Sequence, residues 1–261
     1  MSDVLVLSYH AVSETWPAAL AVAPDALETQ MRLLLDRGYR PTTVHEAIHA
    51  PPAPRTLAVT FDDAYRSVFE TAFPILASLG IPATVFVPTD YAGQERAMAW
   101  AGIDRWLGGP HEPELVPASW EQLGILAEAG WEIGSHTCSH PWLTRLADAD
   151  LERELVDSRD RCRERLGACG SLAYPYGDHD ERVVRATGAA GYTSACTVPA
   201  LFVAGDALRW PRIGIYRTET ALSLRAKLSP TARRVRRTGV GAWSIRAAAA
   251  AGGRARAVVR R

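Results

Sequence analysis

Two carboxylates stand side by side in Thr60-Phe61-Asp62-Asp63, directly after an apolar run that reads as a strand. Acids beside an apolar sheet are costly unless they are paired, and the strand ends of parallel α/β folds are where sites are built. An Asp at such an end also caps helices, so the pair alone leaves both readings open. Two imidazoles four residues apart follow in Gly134-Ser135-His136-Thr137-Cys138-Ser139-His140-Pro141, again after a strand run. They converge on one cation if the segment turns once; loop histidines bonded to backbone are the alternative. Position 137 carries Thr where the HExxH protease arrangement needs Glu, which excludes that arrangement. Together, two His and one carboxylate make a three-ligand metal site with open positions, and the second carboxylate is free to act as a base.

Two further segments also end strands. Ala173-Tyr174-Pro175-Tyr176-Gly177 combines a fixed Pro backbone with a Gly that permits a sharp turn. Such a turn can aim a backbone N–H at a developing oxyanion; an ordinary strand exit is the alternative. Ser8-Tyr9-His10 ends the first strand run and puts a histidine where it could protonate a leaving amine.

These motifs need a frame that brings strand ends together. Strand runs at 4–7, 57–61, 83–87, 131–133, 171–174, 192–197 and 208–216 alternate with helical patterns at 25–36, 64–79, 120–129, 149–166 and 181–187. Gly38, Gly80, Gly130, Gly167 and Gly188 stand where those helices should stop. The alternation predicts an α/β fold with a parallel sheet, and about seven strands fit a barrel or an open doubly wound sheet. No G-x-G-x-x-G or Walker A sequence opens a helix, so nucleotide binding has no support. Residues 90–118, rich in Gly, Pro, Trp and charge, read as an insertion that forms a lid or a substrate wall.

The 261 residues are 48% apolar and 22% charged, a globular composition. Their zero net charge conceals an asymmetry. From residue 220 onward there are 11 basic residues and no acid, which leaves a balance of −11 on residues 1–219. The expected organisation is a catalytic domain over 1–219 and a basic Arg/Ala-rich tail over 220–261. No nucleic-acid partner is expected. The tail reads as a solvated terminus, with peripheral association to an anionic membrane as the functional alternative. No basic n-region and no apolar run of ~20 residues is present, so the expected location is cytoplasmic, at the inner membrane face if the tail anchors.

In combination and order, TFDD, the Gly-Ser-HTCSH segment and the Pro-Tyr-Gly turn resemble the polysaccharide deacetylase family, carbohydrate esterase family four. The resemblance implies a distorted (β/α) barrel of about seven parallel strands that removes acetyl groups from sugars with one divalent metal ion. Zinc comes first as that ion, with cobalt, nickel and manganese as alternatives. It further implies Asp63, His136 and His140 as metal ligands, Asp62 as general base and the Tyr176 N–H as oxyanion donor. The opening Tyr9-His10-Ala11-Val12 resembles the subgroup that deacetylates poly-N-acetylglucosamine, which makes His10 the general acid.

The chain also departs from the pattern. Ala173 stands where many members carry an Arg that orients the base, and Arg212, in Trp210-Pro211-Arg212-Ile213, is a candidate replacement by position only. Pro175, Arg212 and Trp142 are the expected substrate-side residues. For Trp142, as for Trp100 and Trp106, core packing weighs equally with a sugar platform. No late Leu-x-x-His motif follows, which strengthens the case that the resemblance makes for His10 and leaves His179 as a loop residue. The implied function is N-deacetylation of an amino-sugar glycan or glycoconjugate with release of acetate. The alternatives are an O-acetyl esterase or small natural-product deacetylase on the same site, and a non-catalytic glycan-binding relative.

Overall fold

The computed structural model describes residues 4–50, 53, 55–198 and 206–229. The basic tail from 230 onward, and with it the membrane expectation, lies outside the described residues. In chain order the elements are β1 (Val4–Tyr9), β2 (Ala11–Val12), β3 (Ala21–Val22), α1 (Pro24–Asp36), β4 (Arg40–Thr42), α2 (Val44–His49), β5 (Thr56–Phe61), α3 (Phe73–Ser78) and β6 (Ala83–Val87). Then come α4 (Trp120–Glu128), β7 (Glu132–Ser135), α5 (Asp148–Leu166), β8 (Ser171–Ala173), α6 (Glu181–Ala189), β9 (Ser194–Thr197), β10 (Trp210–Pro211), β11 (Ile213–Gly214) and α7 (Ala221–Lys227).

The main sheet is parallel throughout and runs β10-β9-β8-β7-β6-β5-β1-β11, with short β4 added beside β5. β10 and β11 are two halves of one segment broken at Arg212. One half pairs with β9 and the other with β1, so this segment brings the sheet's two ends together and nearly closes a seven-strand barrel. The last expected strand, 208–216, is therefore two short pieces preceded by a 3₁₀ turn at Ala207–Arg209.

Strand alternation divides the core in two. Val6, Ala58, Phe86, Ala173 and Cys196 fill the barrel, and Val44 and Ala47 of α2 plug its lower end. Gly134 lacks a side chain for a packing reason: a Cβ there would meet the Phe86 ring at 2.7 Å. The alternate positions, such as Leu5, Leu7, Leu57, Val59, Val85, Ile133 and Leu172, pack outward against the helices. At the lower end Glu132 is held by Thr84, Ser171 and the His45 N–H, which satisfies a carboxylate far from the chemistry.

Several boundaries differ from expectation. The helix expected over 64–79 starts at 66–67, widens to a π turn at Val68–Ala72 and returns to α-helix at Phe73–Ser78, where Pro74 lacks a backbone donor. Gly188 lies inside α6, which ends at Ala189, rather than after it. The folded unit also continues past residue 219: α7 buries Leu224, and Leu228 beyond it is buried in the same core. The boundary expected at 219 falls one packed helix too early.

The segment 90–118 is tied to the first motif. Ala118 N–H donates to the Ala64 carbonyl at 2.8 Å and Arg66 N–H to the Val116 carbonyl at 2.9 Å. Its Glu114 accepts from Ser13, and its Trp106 lies edge-on to buried Trp16. These ties make it a wall fixed to the barrel mouth.

Candidate active site

A strand sends successive side chains to opposite faces, so Asp62 and Asp63 could not share a site if both stayed extended. Asp62 is still in the sheet, its N–H donating to the Tyr9 carbonyl at 2.9 Å. Asp63 then takes a left-handed backbone, φ 70°, and so does Ala64, φ 49°. That reversal returns the second carboxylate to the barrel mouth. Thr137, His140 and Tyr176 are also left-handed. Five of the six described non-glycine residues with positive φ therefore surround one point, and backbone strain of this kind persists where the surroundings over-determine it.

Asp63 Oδ1 lies 3.4 Å from His136 Nε2 and 3.4 Å from His140 Nε2. These three side chains are buried, and one ligand atom from each lies within 4.8 Å of the others. Asp63 Oδ1 has no hydrogen-bond donor among the described residues. The His136 Nδ1 contacts the Ala173 carbonyl at 2.7 Å, which fixes that proton and leaves Nε2 as a lone-pair donor. The electrostatics agree with a cation site. Burial, reinforced by the charge of Asp62, pushes the Asp63 carboxyl well above the usual range, against an opposing pull from Tyr65. Burial lowers His136, and burial together with His136 pushes His140 well down. Two neutral imidazoles facing a carboxylate oxygen that has no donor are the set that Zn²⁺ and similar divalent ions take.

The loop carrying both imidazoles is held from behind. Glu154, on the buried face of α5, accepts from Cys138 N–H at 2.8 Å, Ser139 N–H at 2.9 Å and the Ser139 hydroxyl at 2.6 Å. Sequence reading missed this residue, though an acid on the apolar stripe of Leu151, Leu155 and Cys162 was a visible signal. Replacing Glu154 with Gln puts an amide N–H₂ against donors. We expect a loss of about 2 kcal/mol in stability and a 10- to 100-fold loss in metal affinity, measured by denaturation and by zinc titration. Unchanged zinc affinity would show that the loop is held by other bonds.

Arg212 meets Asp62 directly. Fully buried, it grips Asp62 with both ends of its fork, Nη1 to Oδ1 at 2.7 Å and Nη2 to Oδ2 at 2.8 Å, and donates to Thr60 Oγ1 at 2.9 Å. Its guanidinium lies over the Phe86 ring, 5.3 Å from the centroid. Ser8 adds a 3.2 Å bond to Asp62 Oδ2. Burial alone would raise Asp62; Arg212, with help from His136 and His10, outweighs it and holds the carboxyl well below the usual range. His10 Nε2 stands 3.9 Å from Asp62 Oδ2. Burial lowers His10 to about 4 against the pull of Asp62.

Pro175 and Tyr176 form a 3₁₀ turn in which the Gly177 and Asp178 N–H groups are bonded internally. The Tyr176 N–H donates to no group among the described residues. Its ring meets His140 edge-on at 4.6 Å and stacks on Trp142 at 4.0 Å. Arg145 lies over the Trp142 ring at 5.0 Å. Trp142 itself stays 37% exposed. Trp100, from the 90–118 wall, stacks on His140 at 4.2 Å, whereas Trp106 packs on Trp16 and His111 away from these groups.

A family model for polysaccharide deacetylase matches residues 49–195. YxkH of Bacillus subtilis (strain 168) is 27% identical over 198 residues, which are 74% of this chain and 63% of YxkH. The poly-beta-1,6-N-acetyl-D-glucosamine N-deacetylase of Escherichia coli (strain K12) is 28% identical over 134 residues, 45% of this chain and 18% of that protein. The chain therefore spans less than two thirds of either relative. Among solved structures, the Streptococcus pyogenes deacetylase PplD in complex with acetate matches with a TM-score of 0.71 and 23% identity, over 87% of this chain and 98% of PplD. IcaB from Ammonifex degensii gives 0.71 and 24%, over 87% of this chain and 97% of IcaB. At these identities the structural likeness is one of fold. No described helix is long and apolar enough to cross a membrane. With more than half its length under one family model, and the barrel that its motifs implied, the chain belongs to the polysaccharide deacetylase family.

Proposed function

We propose that this chain is a metal-dependent N-deacetylase acting on an amino-sugar glycan, with zinc as the ion. The observation that carries the reading is the pairing of a buried Asp63–His136–His140 cluster with an adjacent carboxylate, Asp62, held ionised by Arg212. The named activity of the E. coli relative supports an N-acetylglucosamine polymer as the substrate class. A divalent ion held by Asp63, His136 and His140 supplies Lewis-acid polarisation of the acetyl carbonyl and acidifies water.

The chain's own residues do the rest. Asp62 takes a proton from the attacking water, and Arg212 keeps both carboxylate oxygens in place while it does so. The unbonded Tyr176 N–H donates to the oxygen on which charge develops. His10 then protonates the leaving amine. Because burial keeps His10 neutral at pH 7, the proton it delivers replaces the one Asp62 removed; the two groups stand 3.9 Å apart, too far for a direct hydrogen bond, so a bridging water or the substrate nitrogen itself carries it between them. One proton leaves water and one arrives on nitrogen, so the step balances.

Acetate release from poly-N-acetylglucosamine oligosaccharides, chitooligosaccharides, O-acetylated glycans and an aryl acetate tests the class. Turnover of the O-acetyl substrates alone would transfer the reading to an esterase. His10 has its own test. An amide needs its leaving nitrogen protonated, whereas an aryl acetate does not. His10→Ala is therefore expected to lose at least ~10²-fold in kcat on the N-acetyl sugar and little on the aryl ester. Equal loss on both would remove His10 as the acid.

A further inference from the structure

The acetyl group and the sugar that carries it must occupy different walls of the mouth. The Tyr176 N–H and the His140 ring lie on one side. His10 lies on the other, on the rim above β1, and on the proposed reading it meets the leaving nitrogen. The sugar ring bearing that nitrogen therefore belongs on the His10 side. What stands there is set by the barrel seam. β1 and β11 pair with Leu7 beside Ile213 and Ser8 beside Gly214, and the Ile215 N–H donates to the Ser8 carbonyl. Ser8 and Arg212 both reach Asp62, so the inward positions of the two segments are Ser8 and His10 on one, and Arg212, Gly214 and Tyr216 on the other. Tyr216 thus lies next to His10 in register.

Its ring does not point away. A Cβ built on Gly214 would lie 2.9 Å from the Tyr216 hydroxyl and 3.2 Å from two ring carbons, so the ring folds back over the place where Gly214 has no side chain. Lys227 Nζ, anchored by the Gly214 carbonyl and Glu219, lies 5.9 Å from the ring centroid on one side. The ring is nonetheless 39% exposed. Its hydroxyl makes no hydrogen bond among the described residues, while the charges of Asp62 and Arg212 both act on it. An aromatic ring seated by a glycine, backed by Lys227 of α7, part-exposed and carrying an unused hydroxyl has the chemistry of a pyranose contact: a C–H face for the ring and a partner for a sugar hydroxyl.

We propose that Tyr216 forms the subsite for the leaving-group sugar, its hydroxyl bonding a pyranose hydroxyl near the amide and its open face packing on the sugar's C–H face. Tyr216 thereby favours acetylated pyranosides over acetyl compounds that carry no sugar. This rests on the amino-sugar reading above.

Tyr216→Phe removes one O–H and keeps the ring. Supplied with zinc, this variant is expected to raise KM for an N-acetylglucosamine oligosaccharide about fivefold, with kcat changed less than twofold and 4-nitrophenyl acetate cleavage unaffected. Calorimetry on the ion-free protein should show the deacetylated oligosaccharide bound about fivefold more weakly. Gly214→Ala, which pushes the ring off its seat, should raise the same KM. An unchanged oligosaccharide KM in Tyr216→Phe would overturn the subsite. So would a parallel loss on both substrates with a lowered Tm, which is the signature of a purely structural contact with α7. Wild-type protein that cleaves 4-nitrophenyl acetate but no acetylated amino sugar would instead overturn the glycan reading, and this is visible without any variant.

Discussion

Asp62→Asn is expected to bind zinc as the wild type does and to lose at least ~10²-fold in kcat, whereas Asp63→Ala is expected to lose zinc and activity together. The two residues are neighbours in the chain, so a shared loss would say little; the split is what tests their roles. Asn keeps the shape of Asp62 and cannot take a proton. It also leaves the buried Arg212 half-paired, so Asp62→Asn should lose stability by about 3 kcal/mol. Asp63→Ala should behave in the opposite way without metal. The folded pKa of Asp63 is raised, so its ionised form opposes folding at every pH above the usual carboxyl range, and the penalty grows as pH rises. Removing it should raise the Tm of the ion-free protein at pH 7. The wild type and Asp62→Asn should gain further Tm on adding zinc, by the mass-action term for a ligand that binds only the folded state, and Asp63→Ala should not. Near-full turnover in Asp62→Asn would place the base elsewhere, and a zinc-dependent Tm in Asp63→Ala would remove Asp63 from the ligand set.

The barrel was legible because its strands are short apolar runs punctuated by turn residues, and the parallel sheet follows from the alternation with helices. The convergence of Asp63, His136 and His140 was legible as a set of strand ends. Its local cause was not. A left-handed Asp63 beside a left-handed Ala64 breaks the preference of both residue types, and only the surrounding fold enforces it. Glu154 was missed because its partners are backbone N–H groups of another segment, which periodicity does not report. Arg212 was named by position, but its grip depends on the sheet closing across the 210–214 segment, a tertiary event. Trp142 shows why the sequence left packing and platform level: it stacks on Tyr176, lies under Arg145 and is still 37% exposed, so it does some of each. The boundary at 219 followed charge, whereas the core follows Leu224 and Leu228, which the basic composition of the segment concealed.

Arg212→Lys is the substitution with the next largest expected effect, because charge is conserved and geometry is not. A guanidinium presents a planar fork that meets both Asp62 oxygens and Thr60 at once; an ammonium is a compact point charge that can favour only one carboxylate oxygen. The cation over Phe86 also loses its flat contact. Freed to rotate, Asp62 spends less time aligned with the attacking water, and a misplacement of about 1 Å costs up to ~10² in rate. The pH profile separates this from general damage. Arg212 is the main force lowering Asp62, so a weaker grip lets its pKa rise toward the ordinary value of 3.8, and the acid limb of kcat should move to higher pH. The linked stability has the same sign. A depressed carboxylate contributes stability that is complete above its unfolded value and is lost as pH falls toward its folded one, and Arg212→Lys should shrink that contribution. Arg212→Ala, which strands a buried carboxylate, should cost about 3–5 kcal/mol and is the less informative variant. A Lys variant with wild-type kcat and an unmoved acid limb would mean that charge alone suffices. The role of Arg212 beside Asp62 would then be electrostatic and not geometric.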